Sequence, residues 1–209
     1  MKVEKIYPKE FAANSYIVTC DACEGLAVVV DPAQPRIAEE LKKRSLTPVC
    51  VLLTHAHFDH VGGVDRLKEE GAKLLCSERE SSLVGTPADL CEAFGAPSSR
   101  FSADGTFSDG ETKRLCGLNV TAIFTPGHTS GSVCYLVSGE NAGDRVLFTG
   151  DTLFAGSVGR TDFPTGDGAA LRESLRKLSA LPGDMRVLPG HEDETTLETE
   201  LRENPWMCG

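Results

Sequence analysis

The sequence has 209 residues, 40% of them hydrophobic and 25% charged, the balance of an ordinary globular protein with chain enough to bury a substantial core. Its net charge of −10 is spread along the chain and disfavours nonspecific binding to nucleic acid or anionic membrane. The longest apolar runs, such as residues 49–53, are too short to cross a bilayer, and the charged opening lacks the apolar centre of an export signal, so a cytoplasmic location is expected.

In chain order, strands are expected over residues 2–7, 15–19 and 26–31, bounded by Pro8, Gly25 and Asp31-Pro32. Helical spacing follows Pro35 over 37–44, and 49–54 is a short apolar strand. A helix over 64–70 is stopped by Gly71, and a strand over 73–76 leads to a short helix and a looser stretch at 87–100. A second β-rich stretch takes in 113–116, 119–124, 132–137 and 145–149. Residues 169–178 read as helix, 186–188 as strand and 195–203 as helix again. No Gly/Ser linker or composition break divides the two halves, so one domain over 1–209 is expected, an α/β layered domain with sheets inside and helices outside.

Eight cysteines suggest a disulfide framework, but the expected reducing location and the size of the core argue against one. Cys50, Cys76 and Cys134 sit in strand-like company and read as small buried hydrophobes. Cys20-Asp-Ala-Cys23 lies between two strand-like runs, which places it at a hairpin tip. With no second Cys pair or nearby His it does not read as a zinc knuckle, and a surface redox or adventitious metal role is the alternative.

The five histidines carry the chemistry. The run 49–54 leads into His55-Ala-His57-Phe-Asp59-His60, and the run 120–127 leads into His128. Likewise 145–150 leads into Asp151 and 186–190 into His191. Four strands thus release metal-binding side chains at their C-terminal ends, which in a layered α/β domain can converge on one edge. Gly127, Gly150 and Gly190 each precede a ligand, where glycine lets the backbone turn sharply. Neutral imidazole and carboxylate suit borderline divalent ions such as zinc, iron or manganese. An irregular loop can aim His55 and His57 at one ion while the following helical turn aims Asp59 and His60 at another, with Asp151 as candidate bridge.

Thr54-His-Ala-His-Phe-Asp-His60, Thr125-Pro-Gly-His-Thr-Ser-Gly131, Gly150-Asp151 and Gly190-His191 resemble the ordered motifs of the metallo-β-lactamase superfamily. The resemblance implies a four-layer αββα sandwich. It also implies that His55, His57 and His128 hold one metal ion, that Asp59, His60 and His191 hold a second, and that Asp151 bridges them. Zinc is the foremost cofactor, with iron or manganese also suited.

Within the superfamily the chain is similar to glyoxalase II-like hydrolases of hydroxyacylglutathione thioesters, through Asp151-Thr-Leu-Phe154, Gly159-Arg-Thr-Asp162 and Gly166-Asp167. That branch places a basic residue where Arg160 stands, to contact the thiol carrier's carboxylate; a loop salt bridge is the other reading of Arg160. The implied chemistry is attack on a thioester by a water of pKa about 7 shared between two ions, with Asp59 orienting it or collecting its proton. Typical glyoxalase II enzymes carry an added helical region that helps grip glutathione. Here the tail with Asn204-Pro-Trp206 resembles the shortened terminus of compact bacterial-type members, which leaves the thiol carrier open, and Trp206 reads as a packing residue. A mononuclear iron persulfide dioxygenase shares the same motifs. A β-lactamase and a nuclease of the superfamily fit less well, and the implied partner is a small-molecule thioester rather than nucleic acid or membrane.

Overall fold

The computed structural model describes residues 1–9, 12–98, 100–139 and 143–208. Strands β1 (Lys2–Ile6), β2 (Ser15–Thr19) and β3 (Leu26–Val30) form an antiparallel meander. Helix α1 (Ile37–Lys43) carries the chain back, so β4 (Thr47–Leu52) runs parallel to β3. Helices α2 (Phe58–Val61) and α3 (Val64–Glu69) precede β5 (Lys73–Ser77), again parallel. The short helices α4 (Glu78–Ser81) and α5 (Cys91–Phe94) then lead to β6 (Gly105–Phe107) at the far edge.

The second sheet opens with β7 (Thr112–Leu115), β8 (Leu118–Phe124), β9 (Val133–Ser138) and β10 (Arg145–Gly150), antiparallel in succession. A small hairpin, β11 (Leu153–Phe154) with β12 (Ser157–Val158), follows. Helix α6 (Gly168–Ser179) returns the chain to β13 (Arg186–Pro189), parallel to β10, and β14 (Thr195–Thr196) closes the edge before α7 (Leu197–Glu203). The two six-stranded sheets run in the orders β1-β2-β3-β4-β5-β6 and β14-β13-β10-β9-β8-β7.

Strand alternation sorts the core into three layers of contact. Tyr16, Val28 and Leu52 of the first sheet meet Val120, Tyr135 and Phe148 of the second, filling the space between the sheets. On the outer face of the first sheet, Val29, Val51 and Leu74 pack against Leu41 of α1 and Val64 and Leu67 of α3. On the outer face of the second, Ile123, Leu147 and Val187 pack against Leu171, Leu175 and Leu178 of α6. This is the expected αββα sandwich.

The departures are local. The strand expected over 49–54 runs Thr47–Leu52, after which the Leu53 amide bonds Leu75 O at 3.0 Å and the chain turns outward. The helix expected over 195–203 begins at Leu197, because Thr195 and Thr196 pair with β13 and the Thr196 hydroxyl caps α7 by accepting from the Thr199 amide. Strands β6, β11 and β12, of three and two residues, are too short to show periodicity.

Cys20 precedes and Cys23 ends the 3-10 turn Asp21–Cys23 at the β2–β3 tip, as expected, and the described cysteines are free thiols. The β7–β8 turn brings Cys116 to Cys23, and burial together with the hydrogen bond between their thiols pushes Cys116 up to about 11. Trp206 is 55% exposed, so it packs only in part. Among the described residues no helix is long and apolar enough to cross a membrane.

Candidate metal centre

Strands β4, β8, β10 and β13 end at one edge of the sandwich, and all seven sequence-expected ligands meet there. His55 and His57 lie in the loop after β4, while Asp59 and His60 fall in the single turn of α2 that follows. His128 follows the turn after β8, and Asp151 and His191 leave the ends of β10 and β13. Donor atoms of His55, His57 and His128 lie within 4.8 Å of one another, as do those of Asp59, His60 and His191. A third such group, His55, His60 and Asp151, joins them. Asp151 Oδ1 faces His60 Nε2 at 3.3 Å, and its Oδ2 faces His128 Nε2 at 3.5 Å and His191 Nε2 at 3.6 Å. His191 Nε2 also lies 3.2 Å from Asp59 Oδ2.

Hydrogen bonds behind the cluster orient the imidazoles. The His60 Nδ1–H donates to Asp31 Oδ2 at 3.0 Å, and the His128 Nδ1–H donates to Arg160 O at 2.7 Å. Thr54 Oγ1 donates to Asp31 Oδ2 at 2.6 Å and so can accept from the His55 Nδ1–H at 3.1 Å. Each of these three rings therefore turns its Nε2 inward. His57 presents Nδ1 to the same space, 2.9 Å from His128 Nε2.

The inward atoms His55 Nε2, His60 Nε2 and Asp151 Oδ1, together with His57 Nε2, are buried without a hydrogen-bond partner. Such orphans are costly in a protein interior unless a ligand satisfies them, and imidazole–carboxylate donors fit divalent cations. Burial and then neighbouring imidazoles hold His55 well below its ordinary value, and burial followed by His128 and His60 pushes His57 down to about 3, so both are neutral at pH 7. Burial raises the carboxyls of Asp59 and Asp151, but nearby imidazoles, His60 above all, outweigh it and keep both ionised. Burial opposes charge on His60, yet Asp151, Asp59 and Asp31 hold its pKa well above the imidazole range. A divalent cation would take over the balancing charge and release that proton.

Three supporting features escaped the sequence reading. Asp31 ends β3 in the left-handed region at φ 47 and is 2% exposed, accepting from the Thr54 amide and hydroxyl as well as from His60. An apolar run leads into it as runs lead into the ligands, and that was the available signal. Glu80, buried in α4, ties two ligand loops together: Oε1 accepts from the Ala56 amide at 2.7 Å and Oε2 from Thr129 Oγ1 at 2.8 Å. Burial pushes its carboxyl up to about 7. The third is the close approach at Gly190, where a Cβ would sit 2.4 Å from Asp151 Oδ1 and 2.6 Å from His60 Cε1. Gly150 does turn in the left-handed region, at φ 49, as the sequence reading expected, whereas Gly190 is needed for room.

Asp31→Ala is expected to weaken metal binding about 10- to 100-fold, because two ligand rings lose their orienting partner. It should also destabilise the fold by about 1–3 kcal/mol through the unpaired Thr54 amide. Competition against a chromophoric chelator and a denaturant melt measure the two effects; unchanged affinity would show that Asp31 does not orient the rings.

The cluster opens into a cavity of about 720 Å³ lined by His57, Asp59, His128, Asp151 and His191 on one side and largely by apolar side chains on the other. Arg160 stands on its wall. The guanidinium grips Asp162 through two bonds of 2.6 Å and lies 4.0 Å over the Phe163 ring, so the loop salt bridge is present while the side chain still faces the cavity.

Residues 8–191 match the Metallo-beta-lactamase superfamily. Among curated proteins the chain is 35% identical over 214 residues to hydroxyacylglutathione hydrolase GloC of Haemophilus influenzae, covering 99% of this chain and 98% of that protein. Among solved structures it aligns with the BLEG-1 B3 metallo-beta-lactamase at a TM-score of 0.89 and 32% identity, over 100% of both chains. It aligns with TTHA1623, solved in a di-iron-bound form, at a TM-score of 0.82 and 34% identity, over 97% of this chain and 99% of that one.

Proposed function

The chain belongs to the metallo-beta-lactamase superfamily of metallo-hydrolases, and on that premise we propose that it is a binuclear metal-dependent hydrolase of thioesters of the hydroxyacylglutathione class. The observation that carries this reading is the placement of Asp151, one carboxylate facing His60, His128 and His191 between two three-residue donor groups. His55, His57 and His128 would hold one ion, Asp59, His60 and His191 the other, and Asp151 both. Ions held there supply Lewis acidity and a water whose pKa falls to about 7. Zinc is the first candidate, and the di-iron form of TTHA1623 keeps iron open.

The chain's own residues do the rest. Asp59 lines the cavity with its carboxylate kept ionised, so it can orient the attacking water or take its proton. The hydrogen bonds from His60 to Asp31 and from His128 to Arg160 O hold the ligand set rigid, so little reorganisation accompanies reaction. A thiolate, with a free-thiol pKa near 8.5, departs without a strong general acid. Arg160 can exchange Asp162 for a carboxylate of the thiol carrier, which is the substrate-binding role assigned to it here. The match to GloC over nearly the full length of both chains supports a thioester substrate, and the full-length match to the BLEG-1 lactamase makes a lactam the reading to test against it.

A panel containing lactoylglutathione, other acyl thioesters, nitrocefin and a persulfide with an oxygen electrode tests the proposal. The expected result is thioester cleavage that requires bound metal. Nitrocefin hydrolysis or oxygen uptake without thioester cleavage would replace this reading with a lactamase or a persulfide dioxygenase.

A further inference from the structure

The wall of the cavity opposite the imidazoles is a surface of phenyl rings. Phe58, the first residue of α2, and Phe94, the last of α5, stack with ring centroids 4.8 Å apart and planes 19° apart. Phe163 meets Phe94 edge-on at 6.0 Å and the His57 ring edge-on at 5.9 Å, so hydrocarbon runs unbroken from a ligand imidazole to the cavity mouth. Leu90, Phe154 and Val158 line the same space. Phe94 is 55% exposed, in a protein whose other phenylalanines of the core are covered.

Away from the metal ligands, the charged groups of the lining are few. Among the described lining residues Arg160 is the one Lys or Arg, and both of its paired bonds go to Asp162. Glu192 adds a carboxylate to the same lining, while Asp59 and Asp151 belong to the metal centre. A substrate presenting hydrocarbon toward Phe94 gains burial there, whereas one presenting carboxylates finds a single cation that must first leave its partner.

We propose that Phe58, Phe94 and Phe163 form an apolar shelf that seats the acyl group, so that the preferred thioesters are those whose acyl part carries an aliphatic or aryl chain. This rests on the thioester reading above and narrows it. The shelf continues directly from the His57 ring, so an acyl chain laid along it brings its carbonyl end to the ligand cluster.

The test compares acetyl, butyryl, hexanoyl and phenylacetyl thioesters of one small neutral carrier, N-acetylcysteamine. Half-covered methylenes are worth about a factor of two each, so kcat/KM should rise roughly 15-fold over the four added from acetyl to hexanoyl. Phe94→Ala should cut that hexanoyl-to-acetyl ratio to about threefold or less, while Phe94→Leu, which keeps hydrocarbon in place, should retain most of it. Phe94 is exposed, so neither change threatens the fold. A flat series alongside good turnover of lactoylglutathione would overturn the shelf and leave the thioester reading standing. If no thioester is cleaved by metal-loaded protein, the thioester reading falls, and calorimetric binding of S-methyl against S-hexyl N-acetylcysteamine decides the shelf separately. Roughly 30-fold tighter binding of the hexyl compound, five methylenes longer, supports an apolar subsite, and equal affinity overturns it.

Discussion

Asp151→Ala is expected to abolish hydrolysis and metal binding together, with kcat/KM falling by a factor of about 10⁴ or more, equivalent to roughly 5 kcal/mol of lost transition-state stabilisation. Asp151 supplies the one carboxylate that faces imidazoles of both donor groups, at 3.3, 3.5 and 3.6 Å. Without it, His60, His128 and His191 confront one another with no negative charge between them, and two cations held close together lose the anion that screens their repulsion. The fold itself should survive, since Asp151 sits past the end of β10 and makes no contribution to the core between the sheets. Steady-state kinetics and elemental analysis of the variant measure both losses. Turnover within tenfold of the wild type would remove Asp151 from the bridging position.

Stripping the metal should have the second-largest effect. After dialysis against a strong chelator, hydrolysis is expected to fall to background and to return on adding back zinc, manganese or iron(II). One ion at a thousand times its dissociation constant stabilises a fold by about 4 kcal/mol, which for a chain of this size lowers Tm on removal by roughly 8–16 °C, and a second such ion adds about as much again. The pH dependence of rebinding should differ between the two donor groups. His60 in the metal-free protein has its pKa well above the ordinary imidazole value, so protons compete with metal at the Asp59–His60–His191 group through neutrality. Affinity there rises with pH until His60 loses its proton. His55 and His57 are already neutral, held far below that range, so their protons do not compete at the other group near pH 7. Titrations at pH 6, 7 and 8 would show binding at the Asp59–His60–His191 group tightening as pH rises. Affinity at that group that stays constant from pH 6 to 8 would contradict the expectation.

How much of this was legible in the sequence depends on what each feature needs. The ligands were legible because each follows an apolar run directly, and three histidines with an aspartate in His55–His60 are hard to place for any other purpose. The layered α/β arrangement could be read from the alternation of runs, and its four-layer form from the family motifs. Asp31 and Glu80 were not legible as part of the site. Asp31-Pro32 has the look of a turn, and Glu80 sits in a one-turn helix among polar neighbours, where a carboxylate is ordinarily solvated. Only tertiary packing shows that both are buried against ligand loops. The phenyl wall was hidden for the same reason: Phe58, Phe94 and Phe163 come from three distant segments, and no local pattern joins them.

Arg160 had two readings, and the structure bears on one of them. The sequence set a carrier contact against a loop salt bridge, and the structure has the salt bridge with Asp162 on the wall of the cavity. Its backbone does a separate job, since the carbonyl oxygen fixes the His128 tautomer. The loop is held close by Gly159, where a Cβ would fall 1.7 Å from Asp151 O.

Metal-free protein titrated with zinc, the bound metal counted per chain by elemental analysis, addresses the two-ion centre most directly. Two ions per chain are expected in the wild type, and fewer in variants lacking His128 or His191. Less than one ion per chain in the wild type, or a full pair retained after both histidines are replaced, would contradict the assignment of these residues as ligands.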